Sequence, residues 1–195
     1  MLVPALIMTF NFTPQYYSAD RDFGVLDKDP ADVSVIEATF NDDWQDSKDK
    51  PSQADDLVWS PGAEPAILSL INNSHKSLFI ENEEMAYSTV VNDLIAASKR
   101  GVAVQVVMTY SSEWATDFKK LTPGGVKVRT YAASASRYIH AKMILAEGVN
   151  GFIGSQNFSA TSLNDNRELG ILLTDPDILG SLAETFQEDW AGGTP

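Results

Sequence analysis

The feature that most limits the fold of this chain is an internal repeat. Residues Asn11 to Trp44 align without a gap with Asn157 to Trp190 at an offset of 146, and eleven of the 34 pairs are identical. They are Asn11/Asn157, Phe12/Phe158, Arg21/Arg167, Gly24/Gly170, Leu26/Leu172, Asp29/Asp175, Pro30/Pro176, Thr39/Thr185, Phe40/Phe186, Asp43/Asp189 and Trp44/Trp190. Unrelated segments of ordinary composition share about two. So long a period belongs to a domain present twice, the first time in part, and not to a solenoid.

Each copy has the same local grammar. An apolar run, Phe23 to Leu26 or Leu169 to Leu173, leads into an Asp-Pro step. Asp29 and Asp175 suit a helix N-cap, and Pro30 and Pro176 suit the first turn. The stripes Val33/Ile36/Phe40/Trp44 and Leu179/Leu182/Phe186/Trp190 keep helical spacing and are expected to be core.

Between the copies, Gln45 to Asp56 has no Val, Ile, Leu or aromatic residue and reads as an acidic, solvated linker. It divides a first-repeat remnant, residues 1–44, from a second domain, residues 57–195. In that domain the pattern predicts strands at Leu57–Trp59, Ser77–Glu81, Val102–Thr109, Val126–Tyr131, Tyr138–Leu145 and Gly151–Ile153. Helices are predicted at Glu64–Asn72, Tyr87–Arg100 and Trp114–Leu121. The expected fold is α/β: a mixed or largely parallel sheet flanked by helices, with a partial copy of the same unit at the N-terminus.

Composition narrows the function. Zero cysteines exclude a disulfide scaffold, a cysteine nucleophile and a thiolate metal site. A net charge of −13 argues against coating nucleic acid with the whole surface. Residues 99–142 run the other way, with eight Lys or Arg against Glu113 and Asp117, as an anionic substrate would favour. No run approaches the roughly 18 to 20 apolar residues of a membrane-spanning helix. The opening MLVPALIMTF has no basic flank and contains Pro4, and it reads as folded structure.

The chemistry is concentrated near the end of the second domain, in His140-Ala-Lys142, then Gly154-Ser155-Gln-Asn157, then Glu168. On a continuous strand His140 and Lys142 share one face. An imidazole can attack phosphorus or protonate a leaving oxygen, and the adjacent ammonium can neutralise the non-bridging oxygens. Gly154 lets backbone approach closely, and Ser155 and Asn157 can donate hydrogen bonds to phosphate. Glu168 on the next strand is placed to bond the second imidazole nitrogen and fix its tautomer. This chemistry asks for no metal and no cofactor.

These residues resemble the phospholipase D superfamily, whose signature is H-x-K-x4-D-x6-G-[ST]-x-N. His140, Lys142, Gly154, Ser155 and Asn157 match it at the right spacing, and Glu147 stands in the aspartate slot. The flanks Ser60-Pro61-Gly62, Ile80 to Met85, Lys99 to Val102 and Asn166-Arg167-Glu168 are similar to bacterial members. The resemblance implies a phosphohistidine mechanism on phospholipid or nucleic-acid diesters. It also implies a single site at a pseudo-twofold interface between two such motifs.

This chain has one motif. Applying the repeat offset, only Thr9, Asn11 and Asp22 remain of the first, opposite Ser155, Asn157 and Glu168, and Met8 takes the glycine slot. The expected site therefore comprises His140, Lys142 and Glu168 as catalytic groups, and Lys142, Ser155, Asn157 and Asn11 as phosphate ligands. Glu147, Gly154, Thr9 and Asp22 support them. A second copy of the chain or a missing N-terminal half is expected to complete the site, and the uncovered apolar face of the first-repeat segment is expected either to drive self-association or to leave the monomer marginally stable. The alternatives are a catalytically incomplete phosphate-binding or assembly module, and a family nuclease. Glu81, Glu83 and Glu84 divide between a solvated strand end and the site mouth. Tyr16 and Tyr17 read as packing rather than base stacking, and His75 as a structural histidine.

Overall fold

The computed structural model describes residues 3–12, 19–47, 51 and 54–195. Tyr16, Tyr17 and part of the linker lie outside the described residues. The first segment gives β1 (Ala5–Met8), β2 (Asp20–Arg21), β3 (Gly24–Asp27) and α1 (Pro30–Trp44). The chain continues through β4 (Leu57–Ser60), α2 (Glu64–Asn72), β5 (Ser77–Asn82), α3 (Ser88–Lys99), β6 (Ala103–Thr109), α4 (Ala115–Phe118) and β7 (Lys127–Tyr131). It ends with β8 (Tyr138–Ile139), β9 (Lys142–Ala146), β10 (Asn150–Gly154), α5 (Ala160–Asn164), β11 (Glu168–Leu173) and α6 (Pro176–Gly192).

Seven strands form one sheet in the order β4-β11-β10-β9-β5-β6-β7. Only β5, β6 and β7 run parallel to their neighbours, and the pairs from β4 to β5 are antiparallel. The sheet is therefore mixed rather than largely parallel. The parallel pairs are joined by crossovers that contain α3 and α4, and the antiparallel pair β9–β10 by a short turn. Apolar residues cover both faces. Ile67, Ile71, Val91 and Leu94 of α2 and α3 pack with Leu78 and Ile80 on one side. Leu179, Leu182 and Phe186 of α6 join Ile7, Met143 and Ile153 on the other.

The segment Trp114–Leu121 gives only the single turn of α4, because Pro123 and the positive φ of Gly125 redirect the chain. The two repeat segments fold alike. β1 and β3 pair antiparallel, as β10 and β11 do. Asp29 and Asp175 cap the following helices with the same backbone angles, φ −67° and ψ 121°.

The aromatic stripes part company. Phe186 is fully buried and stacks on Phe79 of β5 at 4.7 Å, whereas Phe40 and Trp44 are 64% and 81% exposed and stack on each other. The expectation that both stripes are core therefore fails for α1 at these two residues. Among the described residues no strand stands to Phe40 as β5 stands to Phe186. Leu6 and Leu26 of the β1–β3 pair are half exposed for the same reason.

Candidate active site

The predicted strand from Tyr138 to Leu145 breaks at His140 and Ala141, and the break builds the site. β8 leaves the main sheet to pair in parallel with β2, and Tyr138 N and His140 N donate to Ala19 O and Arg21 O. That register sets Asp22 beside His140. β9 then re-enters the main sheet, where Lys142 lies opposite Asn82 of β5. His140 and Lys142 thus meet through a switch between sheets and not as neighbours on one continuous strand.

Asp22 Oδ1 lies 2.9 Å from His140 Nδ1, and Thr9 Oγ1 donates to the same oxygen at 2.6 Å. A carboxylate oxygen only accepts, so Nδ1 carries the proton and Nε2 presents its lone pair. Asn11 Nδ2 is 3.4 Å from Nε2. The Lys142 ammonium has three protons and three partners: His140 O at 2.6 Å, His140 Nε2 at 3.0 Å and Glu83 Oε2 at 3.1 Å. Lys142 is almost wholly buried, and that desolvation lowers its pKa against the opposing pull of Glu83. Asn157 Nδ2 donates to Glu83 Oε2 and Glu84 Oε1, both at 3.3 Å. Of this group Asn11, Asp22, Glu83 and His140 line a cleft of about 480 Å³, whose walls also include Phe10 and Tyr138.

The expected residues therefore separate. Thr9, Asn11, Asp22, His140, Lys142 and Asn157 come together. Glu168, expected to orient His140, bonds Ser162 Oγ at 2.7 Å and Asn166 Nδ2 at 3.0 Å, and Asp22 takes the imidazole instead. The other Glu168 oxygen is buried without a hydrogen-bond partner among the described residues. Ser155, expected as a phosphate ligand, uses its hydroxyl to accept from Leu169 N at 3.2 Å. Thr9 makes the equivalent bond to Phe23 N at 2.9 Å, so this position links two strands in both copies.

Gly154 faces Gly170 across β10 and β11, and a Cβ there would stand 2.6 Å from Gly170 Cα. Its glycine serves sheet packing against Phe152 and Gln156, not an approach of backbone to substrate. In the equivalent slot Met8 stands opposite Gly24, and a Cβ built on Gly24 would lie 3.8 Å from Met8 Cβ, an ordinary contact. Glu147 lies at the far end of the β9–β10 hairpin and accepts from His75 N and Lys76 N at 2.5 and 2.7 Å. Those backbone bonds hold its carboxyl below the usual range. It fastens a turn and takes no part in the site.

Behind the site lies a second charge cluster. Asp189, fully buried, accepts from Arg21 and Arg137. Burial and the Asp189 charge push the neighbouring Glu81 carboxyl well above its ordinary value. The repeat-equivalent pair Arg167 and Asp43 also meets, at 2.9 Å. Arginine of each repeat segment thus reaches aspartate of the other. Asp20, Asp22 and His140 offer donor atoms within 4.8 Å of one another, a spacing that could hold a metal ion. The Lys142 ammonium, 3.3 Å from Nδ1, already brings positive charge there.

Residues 67–190 match the family model described as "Cardiolipin synthase, PLD-like domain". The chain belongs to the phospholipase D superfamily. It is 31% identical over 103 residues to phospholipase D Z of Dictyostelium discoideum, covering 50% of this chain and 24% of that one. It is 26% identical over 106 residues to the virion nicking-joining enzyme of monkeypox virus, covering 53% and 25%. The chain thus spans about a quarter of the length of these curated relatives. Nuc from Salmonella typhimurium, a phospholipase D family member, superposes with a TM-score of 0.63 at 23% identity, covering 70% of this chain and 93% of that one. That last likeness is one of fold.

Phospholipase D superfamily chemistry is phosphodiester chemistry, and the cluster has the parts for it: an oriented imidazole, a buried ammonium and two amides. Glu83, which the sequence left between a solvated strand end and the site mouth, joins the site through Lys142 and Asn157. Its position one residue past the strand that pairs with Lys142 was the available signal. No helix among the described residues is long and apolar enough to cross a membrane.

Proposed function

We propose that this chain carries half of a phosphodiester-cleaving or phosphatidyl-transferring site that works through a phosphohistidine. The observation that carries this reading is the Asp22–His140 hydrogen bond, which joins the first-repeat segment to the second domain in the wall of the cleft. Nε2 attacks phosphorus, the new N–P bond forms and the P–O bond to the leaving group breaks. Lys142, Asn157 and Asn11 hold the non-bridging oxygens. A general acid on the opposite side gives its proton to the leaving oxygen. It then takes one from the water or alcohol that cleaves the N–P bond.

That acid must come from elsewhere. The only other histidine is His75, at the opposite end of β5 from Glu83. Roughly 3.3 Å per strand residue puts it on the order of 20 Å away. The twofold relation points to a histidine supplied by a second copy of the chain or by another segment, with Glu168 as its orienting carboxylate. The buried, unpartnered oxygen of Glu168 supports this. On this reading residues 1–44 are the end of a first unit and residues 57–195 the second. The need for an outside acid equally favours the other reading, a module that binds phosphate without turning it over.

The test is a parallel assay on phosphatidylcholine, phosphatidylglycerol and single-stranded DNA in EDTA, with His140→Ala as control. Cleavage that survives EDTA and falls at least about a thousandfold in the variant is expected. Cleavage unchanged by the substitution would refute the assignment. Binding of inorganic vanadate with no cleavage at any protein concentration would favour the module.

A further inference from the structure

We propose that the Glu83 carboxylate is a displaceable internal occupant of the phosphate subsite, an inference that rests on the phosphodiester reading above. Its Oε2 accepts from Lys142 Nζ at 3.1 Å and Asn157 Nδ2 at 3.3 Å and stands 3.3 Å from His140 Nε2, the place a phosphate oxygen would take beside the attacking nitrogen. These groups come from separate parts of the sequence, and they are the ones a tetrahedral oxyanion at this place would use. A carboxylate oxygen and a non-bridging phosphate oxygen are anionic acceptors of similar reach, so only one of them can hold these donors. Two anions side by side there would repel each other.

The surroundings let the side chain leave while the backbone stays. Asn82, fully buried, accepts from Glu84 N and Phe158 N at 3.1 Å and fixes the turn on either side of Glu83. The Glu83 side chain itself is 22% exposed and opens on the cleft. Its other oxygen accepts from Tyr138 O–H at 3.1 Å, a tether at the rim. With Glu83 inward, Lys142 keeps a counter-charge. When phosphate enters, it replaces that counter-charge and Glu83 swings to solvent. Apparent phosphate affinity is then the intrinsic affinity reduced by the fraction of molecules with Glu83 outward.

A rival role makes the opposite prediction. If Glu83 only positions Lys142 and keeps it charged, removing it weakens phosphate binding. The experiment is calorimetric titration of the full chain with inorganic phosphate and with orthovanadate, comparing wild type, Glu83→Gln and Glu83→Ala. Circular dichroism monitors folding, and His140→Ala and Lys142→Ala serve as site controls. Glu83→Gln removes the charge at constant size, so it reports even if the alanine variant is unstable. The expected result is binding at least about tenfold tighter in both Glu83 variants, and loss of that gain when His140→Ala or Lys142→Ala is added. Equal or weaker binding in Glu83→Gln would overturn the proposal and leave the phosphodiester reading standing. No binding in wild type or in either Glu83 variant would overturn the phosphate site itself and the proposal with it.

Discussion

Replacing Asp22 with Asn is expected to lower diester turnover by about three to four orders of magnitude without unfolding the chain. The carboxylate holds the proton on His140 Nδ1. An amide in its place can donate, which turns the ring to the tautomer with the proton on Nε2 and removes the lone pair that attacks phosphorus. The ¹⁵N resonances of His140 report the tautomer directly. They are expected to invert in Asp22→Asn and to stay as in wild type in Glu168→Gln, because Glu168 bonds Ser162 and Asn166 and not the imidazole. A tautomer unmoved by Asp22→Asn would show that another group orients the ring.

The largest effect on stability belongs to Asp189. Its side chain is fully buried and serves both Arg21 and Arg137, so Asp189→Ala leaves guanidinium groups without their buried counter-charge. Breaking such a pair from one side costs about 3–5 kcal/mol. The repeat provides its own control. Arg167 and Asp43 occupy the equivalent positions, but their side chains are 34% and 39% exposed, and Asp43→Ala is expected to cost less than about 1 kcal/mol. Urea denaturation of the two variants measures the difference. Equal losses would mean that burial does not decide the strength of these pairs.

From Leu57 to Tyr131 the order of strands and helices was legible, because an apolar face imposes its own period on the sequence. The constellation of His140, Lys142 and Asn157 was legible for a different reason: few reactions need that spacing. What could not be read were relations between the two halves. The repeat offset pairs equivalent residues such as Asp22 with Glu168, but an offset does not tell which of the two reaches His140. In the structure His140 meets Asp22, and Arg21 meets Asp189. Helical spacing marked Phe40 and Trp44 as apolar but could not say whether a strand stands opposite them, and among the described residues none does. Nor could a motif show that Gly154 and Ser155 serve the sheet. That needs the register of β10 on β11.

The most direct test of the central claim is trapping of the covalent intermediate. The full chain is mixed with a ³²P-labelled aryl phosphodiester, quenched in alkali during turnover and mapped by peptide mass spectrometry. The account predicts label that is stable in base, labile in acid and located on His140, and absent from His140→Ala. Consumption of the diester with no label on His140, or with label on another residue, would contradict it.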